Sequence, residues 1–215
     1  MLFLDRHDAG RQLAALLRPY RDEQPLVLGL PRGGVPIAAE VARALEAPLD
    51  VLVVRKVGAP MHPELAIGAV AEGVEILDRE SIAALGVTPD QVRRTMAQEK
   101  AELARREAHY RAGRPPLDVA GRTVMVIDDG LATGATAEAA CASLRRLGPR
   151  RVIFASPVCA PGSRRRLEPH TDAVVCLATP SDFQAVGQWY ADFSPTTDAE
   201  VVECLRSVTD GAVRP

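Results

Sequence analysis

Five short, mainly apolar runs constrain this chain more than any other feature: Leu26–Leu30, Leu49–Val54, Thr123–Ile127, Arg151–Ser156 and Ala173–Leu177. Continuous rather than alternating hydrophobicity marks strands covered on both faces, as in a parallel sheet. Helical patterns lie between them. Val35–Leu45 carries Ile37, Val41, Ala44 and Leu45, and Ala135–Leu147 carries Ala139, Ala140, Leu144 and Leu147 before the stop signal Gly148-Pro149. Strands alternating with helices predict right-handed crossovers and an open α/β sheet. At 215 residues the chain makes one large domain, or one with an appendage.

Two regions break the alternation. Ala66–Ala71 and Val74–Asp78 flank Glu72-Gly73 and predict a hairpin, or a strand pair at the sheet edge. Thr88-Pro89-Asp90-Gln91 then supplies an N-cap, a proline at the first helical position and a glutamine at N3, starting a helix that runs to about Arg111. Its thin apolar stripe of Val92, Met96, Leu103 and Tyr110 predicts a surface helix, or one packed on a partner chain. Thr197-Asp198-Ala199-Glu200 is a second capping box, opening a terminal helix to about Val208.

A net charge of −2 removes the footprint of a general nucleic-acid or anionic-membrane binder, so any anion site must be local. Of the 26 basic residues only Lys56 and Lys100 are lysines. Cys141, Cys159, Cys176 and Cys204 show no C-x-x-C spacing, which argues for free thiols over a zinc site or a disulfide framework. No apolar run is long enough to span a membrane, and Met1–Arg6 lacks the order of a signal peptide, so a cytoplasmic location is expected. Aromatic residues make up 4% of the chain, which predicts a core of Ala, Val, Leu and Ile, yet half of them fall between Phe183 and Phe193.

The chemistry concentrates after the third apolar run, in Asp128-Asp129-Gly130-Leu131-Ala132-Thr133-Gly134-Ala135-Thr136. A buried strand delivers two carboxylates to its carboxyl end, where ligands bind in open α/β sheets. A turn of small residues then opens a helix, whose N–H groups and positive dipole end favour phosphate. Acids beside a phosphate cradle suit a ligand carrying both a phosphate and neutral hydroxyls, as a ribose 5-phosphate does.

This segment resembles the 5-phosphoribosyl 1-diphosphate (PRPP) motif of type I phosphoribosyltransferases, in which an apolar run, an acid pair and a Thr-Gly-x-Thr cradle stand in register. Two further segments fit the same family. Leu30-Pro31-Arg32-Gly33-Gly34 resembles its pyrophosphate loop, where a non-proline cis peptide is common. Arg55-Lys56 and residues 57–65 resemble the strand end and flexible loop that close over PRPP. His62 in that loop reads as solvent-exposed.

The resemblance implies a type I phosphoribosyltransferase fold. Residues 1–178 would form the PRPP-binding core, with an insertion at about 66–113, and residues 179–215 a small hood and terminal helix. Among bacterial members without an established acceptor, segments similar to Arg55–Pro60 and Ala185–Tyr190 occur. The implied reaction transfers 5-phosphoribosyl from PRPP to a nitrogen acceptor such as a nucleobase, releasing pyrophosphate. Asp128 and Asp129 would be catalytic, and Gly130–Thr136, Pro31–Gly34, Arg55 and Lys56 would bind PRPP. Mg²⁺ would enter on the substrate, with no direct protein ligand. Phe183, Trp189 or Tyr190 would face the acceptor, or simply pack the hood. Ala132 stands where hypoxanthine-guanine enzymes carry a proton-handling Asp, which disfavours 6-oxopurines and leaves Glu64 and Glu72 as candidates for that role. A homodimer is expected from the family. The rival readings are a non-catalytic PRPP-binding regulator and a ribose-phosphate phosphohydrolase.

Overall fold

The computed structural model describes residues 2–211, leaving Met1 and residues 212–215 of the expected hood segment outside. Its strands are β1 (Leu26–Gly29), β2 (Leu49–Val51), β3 (Val54–Ala59), β4 (His62–Ala71), β5 (Val74–Leu77), β6 (Thr123–Ile127), β7 (Arg151–Val158) and β8 (Ala173–Ala178). Its α-helices are α1 (Arg6–Leu17), α2 (Gly34–Leu45), α3 (Arg79–Ala84), α4 (Pro89–Tyr110), α5 (Ala135–Arg146) and α6 (Asp198–Gly211).

The apolar runs assemble into one sheet of order β2-β1-β6-β7-β8, parallel at every pairing. Successive side chains of a strand point to opposite faces. Accordingly Val27, Met125, Ile127, Ile153 and Ala155 join the cluster with α1, α2 and α6, whereas Leu28, Val124, Val126, Val152 and Phe154 join the one with α5. Covering on both faces is what the mainly apolar runs require. The core is aliphatic as expected; among the largest fully buried side chains only Phe3 and Phe154 are aromatic.

Residues 54–77, reaching back beyond the insertion expected at 66–113, form a separate antiparallel sheet, β3-β4-β5, against which α4 lays Val92, Met96 and Leu103. The expected hairpin at 66–78 is therefore present, but on its own sheet and not at the edge of the main one. Residues 57–65, expected to be a loop, are also mostly strand. β3 and β4 pair from Val54↔Ala71 to Ala59↔His62, turning at Pro60-Met61. Gly58 makes this possible, because a Cβ there would run into the Pro63 backbone and the register shifts around it. Both capping boxes form as read: Thr88 with Gln91 on α4, and Thr197 with Glu200 on α6.

Arg111, just past α4, ties the small sheet to the large one. It donates to Asp50 of β2 at 3.1 and 3.2 Å, to Glu72 at the β4–β5 turn at 2.7 Å, and to the Pro115 carbonyl at 2.6 Å. The expectation of four free thiols is corrected: Cys159, after β7, is disulfide-bonded to Cys176 in β8, while Cys141 and Cys204 are free and buried. Parallel neighbours bring residues 17 apart to a Cα separation of 6.2 Å, a pairing that sequence spacing does not display.

The hood draws on both ends of the chain. Phe3 bridges Tyr190 in parallel, with its N–H donating to the Trp189 carbonyl at 2.8 Å and its carbonyl accepting from Ala191 at 2.7 Å. The amino-terminal arm thus belongs to a unit that the sequence reading confined to residues 179–215.

Candidate functional site

β1 and β6 are neighbours whose onward connections part: β1 leads through α2 to β2, β6 through α5 to β7, and the two helices cover opposite faces. Such a switch point opens a crevice at the carboxyl ends of the two strands. Both predicted turns empty into it.

From β6 come Asp128 and Asp129. The Asp129 N–H donates to Asp128 Oδ1 at 2.9 Å, and Asp129 Oδ2 receives both Nε and Nη2 of Arg6, at 3.0 and 2.9 Å. Burial, reinforced by the Asp129 charge, pushes the Asp128 carboxyl well above the ordinary carboxylate range. Burial also raises Asp129, against the pull of the Arg6 guanidinium. The turn then divides by role. Leu131 is buried, its N–H donating to the Val158 carbonyl and its carbonyl accepting from Ala160, so it anchors the turn to β7 and has no amide left for a ligand. Ala132, Thr133 and Thr136 are exposed, and Gly134 (φ 79°) takes the left-handed conformation that starts α5. The first α5 amides have no partner one turn back, which leaves them open to an anion. Arg166 flanks this cradle, held by Glu138 at 2.6 Å and reaching the Thr133 carbonyl.

From β1 comes the loop Pro31–Gly34, with a cis peptide between Pro31 and Arg32. A Cβ on Gly33 would collide with the Asp129 carboxylate, and one on Gly34 with the β6 backbone at Ile127 and Asp128. The two glycines therefore let the loop lie directly against the acid pair. Arg32 is exposed, 3.7 Å from Asp198 of α6.

A cleft of about 670 Å³ continues from Pro31 and Thr136 toward the β3–β4 hairpin and α4. Lys56 lines it, half-buried. Arg55 lines it too, but its guanidinium is engaged by Glu99 of α4 at 2.8 Å. Arg106 and Gln98 of α4 complete that wall. His62 is exposed at the hairpin tip; Glu72 is paired with Arg111, which leaves it committed to the link between the sheets. The Glu64 side chain lies outside the described structure.

The hood closes the other side. Val186 packs over Gly130 so tightly that a Cβ there would meet it at 2.5 Å. Tyr190 is buried between Phe3 and Phe193, ring centroids 5.4 and 4.9 Å away, and its hydroxyl donates to the Asp129 carbonyl at 2.6 Å. A ring enclosed this way presents no face to an acceptor, so of the two expectations for Tyr190 the structure fits packing within the hood, where it braces the acid pair. Trp189 and Phe183 are half-buried, and the Trp189 indole nitrogen is a buried donor without a partner among the described residues. Arg6, Glu99, Arg106 and Arg166 were not foreseen. Only Arg166 left a local trace, the run Arg164-Arg165-Arg166 that ends beside the cradle.

A family model described as "Phosphoribosyl transferase domain" matches residues 5–193. The chain belongs to that family. It is 47% identical over 205 residues, 95% of its length, to Mycobacterium tuberculosis proteins of strains H37Rv and CDC 1551, each named "Putative phosphoribosyl transferase". The chain spans about half (46%) of the length of these curated relatives. The crystal structure of TT1426 from Thermus thermophilus matches at 45% identity and a TM-score of 0.87, over 96% of this chain and 99% of that one. The AQ2163 protein of Aquifex aeolicus shares the fold, at 13% identity and a TM-score of 0.51 over 94% and 86% of the two chains. The mainly parallel sheet with helices on both faces and a small hood is thus the phosphoribosyl transferase fold expected from the motif. No described helix is long and apolar enough to cross a membrane.

Proposed function

We propose that this domain transfers the 5-phosphoribosyl group of PRPP to a nitrogen nucleophile, a nucleobase or similar planar acceptor, with release of pyrophosphate. The observation that carries this reading is the meeting, at one switch point, of an acid pair, an amide cradle and a glycine loop, the three elements that a phosphorylated, hydroxylated, diphosphate-bearing sugar calls for.

The 5-phosphate would lie on the amides at residues 132–136, with Arg166 alongside. Asp128 and Asp129 would accept hydrogen bonds from the 2- and 3-hydroxyls. As the bond from C1 to the diphosphate breaks, positive charge grows on the ribose, and the two carboxylates beneath it stabilise that state more than the ground state. Arg32, Lys56 and Arg106 line the side on which negative charge leaves. A divalent cation would arrive on its substrate, held by diphosphate oxygens, ribose hydroxyls and waters. When bound, Mg²⁺ would neutralise diphosphate charge, and the chain's part is to orient the ribose hydroxyls and exclude water. We place the protein in the cytoplasm as a homodimer in nucleotide metabolism.

A screen of purines, pyrimidines and related nitrogen acceptors with PRPP and Mg²⁺, reading pyrophosphate release, tests the proposal. Asp128→Asn combined with Asp129→Asn should abolish release, and undiminished turnover in that variant would sink the site. PRPP binding without turnover on any acceptor would point to the regulator, and release without an acceptor to the hydrolase.

A further inference from the structure

Arg6 belongs to none of the motifs, yet it grips the acid pair more closely than any residue of the loops. Its position is set by the amino-terminal arm. Phe3 is stitched to the hood at Tyr190, Asp5 caps α1 by accepting from the Asp8 N–H at 2.7 Å, and Arg6 follows in the first turn. The guanidinium lies 4.0 Å over the Phe193 ring and 6.0 Å from that of Tyr190. Nη1 donates to the Ser194 carbonyl at 2.8 Å, while Nε and Nη2 converge on Asp129 Oδ2. The pair is nearly enclosed, with side-chain exposures of 11% and 17%.

Two features distinguish this from an incidental ion pair. Both nitrogens take the same carboxylate oxygen, so Oδ1 is left outside the pairing and is oriented by it. The guanidinium also stacks on the hood's Phe193 ring, so its placement depends on the hood being docked. A planar fork that stacks and chelates at once is a task for arginine; lysine offers one point charge and no flat face.

We propose that Arg6 is a positioning residue for Asp129: it holds the carboxylate charged and aimed at the ribose, and couples that alignment to closure of the hood. The inference rests on the PRPP reading above. Without Arg6, Asp129 keeps only Asp128, a like charge, and the Tyr190 hydroxyl, which binds its main chain. Burial is then opposed only by the hydrogen bond from its own backbone N–H, and it stays protonated to higher pH. Asp192 and Glu200, the acids nearest Arg6 on the hood and α6, feel its charge but do not contact Asp129.

The test is calorimetric binding of Mg–PRPP between pH 5.5 and 9 by wild type, Arg6→Met and Arg6→Lys, each checked for melting. Arg6→Met should bind severalfold more weakly at pH 7, with the pH at which binding is half lost raised, and should recover toward wild type at high pH. Arg6→Lys should keep the wild-type pH midpoint but bind more weakly at every pH. If Arg6→Met does not fold, Arg6→Lys decides alone, and full wild-type affinity in it overturns the need for the two-nitrogen grip. An unchanged pH midpoint in a folded Arg6→Met overturns the proposal. A wild-type protein that binds no PRPP overturns the underlying reading instead.

Discussion

Gly33→Ala separates the site from the fold. Gly33 sits at φ −64° and ψ −30°, a conformation alanine adopts freely, so the backbone gains rather than loses, by about 0.4–1 kcal/mol through the unfolded state. The new Cβ would stand 1.9 Å from Asp129 Oδ2, 2.7 Å from its carboxyl carbon and 3.2 Å from Arg6 Nε. Non-bonded heavy atoms pack at roughly 3.5 Å, so the carboxylate must retreat by about 1.5 Å. That is enough to break a charge-assisted hydrogen bond to a ribose hydroxyl, worth about 1.5–3 kcal/mol, or about 10–100-fold in Kd. The expected outcome is a variant that melts within a few degrees of wild type yet binds Mg–PRPP about 10–100-fold more weakly by calorimetry. Gly34→Ala, whose Cβ meets the β6 backbone, should instead lose stability. A folded Gly33→Ala with wild-type affinity would refute the argument, because Asp129 would then have no need of its place.

Two further outcomes concern stability. Arg111→Ala leaves Asp50 and Glu72 without their shared partner; removing one side of a buried pair costs about 3–5 kcal/mol, and the part exposure of Glu72 favours the lower end. At about 2–4 °C per kcal/mol, a fall in Tm of about 6–12 °C is expected by scanning calorimetry, and a fall of under 2 °C would contradict it. Asp128→Asn should raise Tm at neutral pH. The folded carboxyl titrates above its unfolded value, so its stabilising contribution is complete below the unfolded pKa and lost as pH rises through the folded one. The advantage of asparagine should therefore shrink as pH falls toward 4, and an advantage that grows on acidification would reverse the sign of the argument.

What could be read before the structure was what is local. Strands β1 and β6 announce themselves because both faces are covered, and the acids, glycines and threonines that follow them are contiguous with those strands. β3 was hidden because Gly58 and Pro60 punctuate like a loop, although one serves a bulge and the other a turn where no amide is needed. Arg6 lies 123 residues from Asp129, Glu99 lies 44 from Arg55, and Cys159 meets Cys176 only through the register of two strands. No periodicity carries such pairings. The four clustered aromatics mark the hood, where Tyr190 packs and braces, a role that composition alone does not distinguish from recognition.

The bridge from Phe3 to Tyr190 also sets an order of assembly. The cradle and the glycine loop each arise within a single strand-turn-helix unit and can form as soon as those units meet. The hood cannot, because the two segments bridged at Phe3 and Tyr190 lie far apart in the chain and closing so long a loop carries a large entropy cost. During synthesis the cradle and the glycine loop would exist while the hood is still waiting for residues beyond 190, and Asp129 would gain its arginine only when the hood closes. A fully aligned acid pair would thus report that the chain has been made past Ser194.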